Sequence, residues 1–254
     1  MLDVLQTERR YFVFDKKTFS HFIDACRGLT TYTLDRPEFS NITDIYMDTP
    51  KRILEQNELL LRKRVVGNKA ILRIKRLHPN PQLMYSDTLR AHEREREINP
   101  RDRLSKHFLF LNNALNSMFT TTLKFDPDKL FEQVQVIMIM KMKQTRYLLF
   151  GYGGLKVEIT NQIMNVQNNI TRRKNNTEMI QIKLLSNEST LQLFNDFITR
   201  IEKHCKEIFY TKDSRYDIGQ RITKPLPTKE ERRQAKIAAL KRKAMEESGE
   251  IVPD

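Results

Sequence analysis

The chain has 254 residues, 39% hydrophobic and 30% charged, and its 45 Lys and Arg against 32 Asp and Glu leave a formal charge of +13. That length allows one large domain or two small ones, and the charge points to an anionic partner such as nucleic acid, nucleotide, polyphosphate or an acidic protein surface. No apolar run approaches the ~20 residues that span a bilayer, and Cys26 and Cys205 are too few and too isolated for a disulfide framework or a zinc site. Met1 to Arg10 lacks the architecture of a signal peptide, so a cytoplasmic protein without membrane insertion is expected. The five histidines show no metal-ligand spacing, and no glycine-rich phosphate loop occurs.

In chain order, Leu2 to Phe14 alternates as a strand, and Asp15 caps a helix through about Arg27 with Phe19, Phe22, Ile23 and Cys26 on one face. Asn41 to Met47 is a second strand, stopped by Asp48-Thr49-Pro50 and followed by a short helix to Gln56. Glu58 to Val66 and Lys69 to Leu77 form a hairpin across Gly67-Asn68. After a loop at Pro79 to Pro81, Thr88 to Ile98 is a fifth strand, and Arg101 to Met118 is helical with Leu104, Phe108, Leu111 and Leu115 as its buried stripe. Gln133 to Met142 reads as a long strand that continues, or turns near Gln144, into Arg146 to Phe150. Gly153-Gly154 is a hairpin turn into Leu155 to Val166; a polar Asn-rich loop and a last strong strand, Met179 to Leu185, follow. Glu188 to Phe209 is an amphipathic helix through Leu191, Phe194, Phe197, Ile198 and Ile201. Beyond Pro225 and Pro227, Lys229 to Glu247 is a charged helix with a thin stripe of Ile237 and Leu240, suited to contact with a protein partner. The order is that of an antiparallel barrel with helices packed outside, an α+β fold.

Charge is distributed along these strands at the spacing of a pleat. Side chains two apart share a face, so Arg62/Arg64, Arg73/Lys75, Glu93/Glu95/Glu97 and Lys141/Lys143 each form a row. A charged row backed by an apolar face belongs on open surface or inside a wet, walled cavity. Several such strands suggest a sheet closed around a charged interior.

Taken in order, these motifs resemble the CYTH, or triphosphate tunnel metalloenzyme, superfamily. Those motifs are Glu8-x-Arg10, Arg62-x-Arg64, the Lys75 strand, Glu93-x-Glu95-x-Glu97-Ile98, a Lys-x-Arg-like strand at Gln144 to Arg146, and the strand of Glu158. The superfamily includes thiamine-triphosphatases, class IV adenylate cyclases, inorganic tripolyphosphatases, RNA triphosphatases and the polyphosphate-polymerase domain of VTC complexes. The resemblance covers roughly Gln6 to Tyr216. It implies an eight-stranded antiparallel tunnel over residues 1–222, with residues 223–254 as a basic appendage. Basic residues would grip a triphosphate, and glutamates would hold Mg²⁺ or Mn²⁺. Arg forks match phosphate oxygens in pairs, and hard cations prefer oxygen ligands.

Carried onto this chain, the phosphate-binding set is Arg10, Arg62, Arg64, Arg73, Lys75, Lys141, Lys143, Arg146, Lys183 and Arg215. The metal set is Glu8, Glu93, Glu95, Glu97 and Glu158, with Glu8, Glu95 and Glu158 as catalytic residues. The departures fall on the acids. The first glutamate of the opening motif is Gln6, and the Glu-x-Glu of the last strand reads Gln181-Ile182-Lys183. An amide brings no charge to Mg²⁺, and a lysine repels it.

Three functions are compatible with this pattern. The first is a metal-dependent enzyme of phosphate hydrolysis or transfer acting on a triphosphate. The second is a degenerate tunnel binding triphosphate, polyphosphate, nucleotide or RNA 5′-triphosphate ends with weakened turnover. The third is an inactive, structural or RNA-associated use of the fold, to which the viral-like composition is suited. In all three, a row of unpaired arginines should repel itself, so Arg62→Ala with Arg64→Ala is expected to leave the empty protein as stable as before, or more so.

Overall fold

The computed structural model describes residues 5–13, 17–77, 88–118, 126–186 and 188–224, with only the backbone at 5–7, 76–77, 88–93, 118, 128 and 188. The Asp15 cap, the Pro79 to Pro81 loop and the charged helix at Lys229 to Glu247 lie outside the described residues.

The strands are β1 (Leu5–Val13), β2 (Tyr32–Leu34), β3 (Glu38–Asp48), β4 (Leu59–Val66), β5 (Lys69–Leu77), β6 (Thr88–Ile98), β7 (Gln135–Gly151), β8 (Lys156–Asn168), β9 (Arg173–Leu184) and β10 (Ile208–Thr211). The helices are α1 (Thr18–Gly28), α2 (Ile53–Gln56), α3 (Phe108–Met118), α4 (Pro127–Glu132), α5 (Leu191–His204) and α6 (Arg215–Ile222). All the strand pairings are antiparallel. The sheet order is β10-β1-β6-β5-β4-β3-β7-β8-β9, with β2 on β7 and β1 paired also to β9.

The α+β architecture is therefore as expected, but the eight-strand count is not. The sheet has ten strands. Its seam is short, because β1 meets β6 through Leu5, Gln6 and Thr7, while Arg10–Val13 are held by β9 and β10. The hairpin of β4 and β5 does form across Gly67-Asn68, with Val66 opposite Lys69 and Gly67 at φ +56°. A glycine with positive φ at the first central position suits the twist of a two-residue hairpin.

One open alternative is decided and two further expectations change. Strand β7 runs unbroken past Gln144, which keeps Ser40 on β3 and Gln162 on β8 as neighbours. The Asn-rich segment is paired backbone rather than loop, since Arg173–Asn176 lie opposite Asn165–Asn168. The last helix ends at His204, where its apolar period stops, and Ile208–Thr211 joins the sheet instead.

Each face of the sheet has a distinct cover. On the outer face of β1, β8 and β9, α1 and α5 bury Phe22, Ile23, Phe194, Phe197 and Ile201 against Tyr11, Ile159, Ile180 and Ile182. On the outer face of β4 to β6, Leu111 and Leu115 of α3 and Phe131 of α4 cover Leu61, Leu72 and Ile74. The inner face is apolar at one end, where Met138, Met140, Met142, Met164 and Met179 pack under Tyr216 and Ile218 of α6. Unbranched thioethers fill such an irregular space well. Helix α6 begins with a capping box between Ser214 and Asp217, which fixes where the chain turns inward.

Gly219 lets α6 approach this methionine bed, for an added Cβ would lie 2.6 Å from the sulfur of Met138. Gly219→Ala is expected to destabilise the fold by about 1–3 kcal/mol through overpacking, read as a lowered urea midpoint.

Candidate functional site

The other end of the inner face is charged. Alternation places Glu8 and Arg10 of β1, Arg62 and Arg64 of β4, Arg73 and Lys75 of β5, Glu158 of β8 and Lys183 of β9 on it. Together with Arg215 at the start of α6 they line one cavity of about 200 Å³. Tyr46, Leu60, Gln181, Ser214 and Tyr216 complete the wall. Seven cationic side chains thus converge, against two carboxylates in the lining.

The remaining expected residues fall elsewhere. Lys141 and Lys143 sit on the opposite face of β7 from Met140 and Met142, exposed, in a separate groove with Asn41, Thr43 and Asn165. Their row is real but points outward, because the buried methionines between them claim the inner face. Arg146 lies on the inner face beside the cavity, donating to Glu158 at 2.6 Å and to Glu38 at 2.7 Å. Glu95 is half exposed and engaged by Arg73, Glu97 is exposed, and the backbone of Glu93 is opposite Lys75.

The residue that organises the arginines is Asp44 of β3. It is fully buried, and Arg64 grips it through both oxygens at 2.7 Å while Arg62 approaches at 3.4 Å. Burial pushes the Asp44 carboxyl up, but Arg62, Arg64 and Arg215 outweigh it and hold the group down at about 2. Asp44 lies between Ile42 and Tyr46 on one face of a strand, a charge in an apolar row, and a buried carboxylate requires such partners. That interruption is the signal by which the sequence could have revealed it.

A second network crosses β9. The side chain of Gln181 donates to Glu8 and accepts from Arg215, while Glu8 also pairs with Arg10. Arg215 donates through Nε to Gln162 at 2.6 Å, and Gln162 donates to Gln144 at 2.9 Å. Burial lowers Arg215 to about 9, with repulsion from Arg64 as the next cause, and burial lowers Arg10 to about 10. Both remain charged at neutral pH. The Nε donors of Arg10 and Arg62 are buried without a hydrogen-bond partner, and each such donor costs about 1–3 kcal/mol. An anionic oxygen would satisfy them.

A divalent cation does not fit this donor set. Mg²⁺ and Mn²⁺ need several charged oxygens converging within a short radius. Here Glu8 is taken by Arg10 and Gln181, Glu158 by Arg146, and Glu95 by Arg73. Among the described residues no group of three His, Cys, Asp or Glu side chains could hold a metal ion.

No family model matches the chain, and no curated protein matches it by sequence. Solved structures do. HpAC1 from Hippeastrum, an adenylyl cyclase candidate with a dominant triphosphatase activity, is 15% identical with a TM-score of 0.50, covering 87% of this chain and 98% of its own. An adenylate cyclase candidate from Bacillus halodurans is 15% identical over 83% and 94% of the two chains, with a TM-score of 0.48. The Mimivirus capping enzyme triphosphatase is 11% identical over 79% and 91%, with a TM-score of 0.37. At this identity the likeness is one of fold, and the chain shares the fold of HpAC1. Among the described residues no helix is long and apolar enough to cross a membrane.

Proposed function

We propose that this chain binds the phosphate chain of a triphosphate or polyphosphate inside the charged cavity, with hydrolysis weak or absent. The observation that carries this reading is the convergence of seven cationic side chains from five separate elements on one small space. Like charges are gathered so closely only where a counter-charge stabilises them, and a row of phosphates supplies one at each step. The cavity of about 200 Å³ is smaller than the roughly 300–1,000 Å³ that holds drug-sized ligands. It therefore suits a phosphate chain, and any nucleoside or RNA attached to that chain would lie outside.

In this reading Arg62, Arg64 and Arg215 hold bridging and terminal oxygens, Arg73 and Lys75 hold the chain from the β5 side, and Arg10 closes it at β1. The tunnel comprises residues 1–222, and 223–254 are an appendage. Turnover is weak because Glu8 and Glu158, the acids nearest the ligand, are already held by Arg10, Gln181 and Arg146. Neither carboxylate is placed to take a proton from water without first giving up such a partner.

Tripolyphosphate at about 100 times its Kd is expected to add roughly 2.7 kcal/mol to the stability of the protein. For a domain of this size that raises Tm by about 5–10 °C, read by differential scanning fluorimetry. An unchanged Tm with tripolyphosphate, ATP and longer polyphosphate alike would sink the reading.

A further inference from the structure

Lys183 of β9 is the cross-strand partner of Glu8 on β1 and of Glu158 on β8, and all three line the cavity. Directly opposed residues of a sheet have Cβ atoms about 4.5–5.5 Å apart, so the lysine stem rises between the two carboxylates. Yet each carboxylate is already engaged elsewhere, Glu8 by Arg10 and Gln181 and Glu158 by Arg146. Lys183 itself makes no ion pair among the described residues. An ammonium on the cavity wall with its neighbouring acids spoken for is directed at something other than protein.

Resting on the phosphate-binding reading above, we propose that Lys183 replaces a divalent cation, so that the cavity takes the bare phosphate chain and Mg²⁺ opposes binding. Two physical arguments support this. A divalent ion carried in on the ligand would meet the Lys183 ammonium and six further cationic side chains, with no carboxylate left to coordinate it. Complexation also removes negative charge from the phosphate chain, which weakens every charge-assisted hydrogen bond it could make to arginine. A compact ammonium can meet one phosphate oxygen as a point charge without any coordination geometry. Gln181 completes the substitution: its neutral amide bridges Glu8 to Arg215, a link that a carboxylate would make only by repelling Glu8.

The experiment is calorimetric titration of the full chain with tripolyphosphate, in excess EDTA and again in excess Mg²⁺. Binding is expected in EDTA and weaker by about tenfold or more in Mg²⁺, which is at least 1.4 kcal/mol. Lys183→Glu should lose about a hundredfold in EDTA and should gain Mn²⁺ binding, seen by electron paramagnetic resonance of the ion without any ligand. Lys183→Arg should keep binding in EDTA. If Lys183→Glu does not fold, as judged by circular dichroism, Lys183→Gln takes its place and should show the loss in EDTA. Binding by the unmodified protein that is equal or tighter in Mg²⁺, or a folded Lys183→Glu or Lys183→Gln variant that binds normally in EDTA, would overturn the inference while leaving the phosphate-binding reading intact. No binding in either buffer would overturn both.

Discussion

The triple variant Asp44→Asn, Arg62→Ala, Arg64→Ala is expected to lose tripolyphosphate affinity by a hundredfold or more while remaining folded. Arg62 and Arg64 stand side by side on β4 facing the cavity, and Asp44 aligns both from behind. A hydrogen bond to a charged group is worth about 1.5–3 kcal/mol, so losing two arginines removes about 3 kcal/mol at the least, or two decades in Kd. Asp44→Asn belongs in the variant because a buried carboxylate without its arginines would confound binding with unfolding. Titration calorimetry reads the affinity, and a urea melt confirms the fold. If the triple variant is folded and binds as the unmodified protein does, these arginines are not the phosphate grip.

Arg62→Ala with Arg64→Ala, Asp44 unchanged, is expected to destabilise the protein by about 3–5 kcal/mol, the usual cost of leaving a buried charge without its partners. This reverses the expectation from sequence that removing Arg62 and Arg64 relieves repulsion, since both arginines are paired to one fully buried acid. Adding Asp44→Asn to that pair should recover part of the loss, because the uncompensated charge goes with it.

The pH dependence has a definite sign. The Asp44 carboxyl is held down at about 2 in the folded protein, against about 3.9 when unfolded. Its contribution is therefore complete above the unfolded value and is lost as pH falls from about 4 towards about 2. That contribution is roughly 2 kcal/mol by linkage. Melts across that range should show the unmodified protein converging on Asp44→Asn as pH drops. A constant gap between the two would show that Asp44 is not the group that titrates.

The amino-acid sequence by itself determined which strands carry charge on one face. Arg62/Arg64, Arg73/Lys75 and the acids of β6 were legible because a pleat sends alternate side chains to opposite sides, whatever the strand pairs with. The helices over β1, β8 and β9 were legible as well, because an apolar stripe at helical period through Phe194, Phe197 and Ile201 has to be buried somewhere. Which face of a strand turns inward is a different matter. Lys141 and Lys143 look locally like Arg62 and Arg64, yet they point outward, because Met138, Met140 and Met142 on the other face pack with Tyr216 and Ile218 of α6. Helix α6 is marked by its Ser214-x-x-Asp217 capping pattern, but nothing local says that it closes one end of the cavity and delivers Arg215 to it. The pairing of Lys183 with both Glu8 and Glu158, and of Arg62 and Arg64 with Asp44, joins positions 18 to 175 residues apart. Such pairings arise from the register of the assembled sheet. The sequence supplied the charges, and the tertiary structure decided which of them face one another.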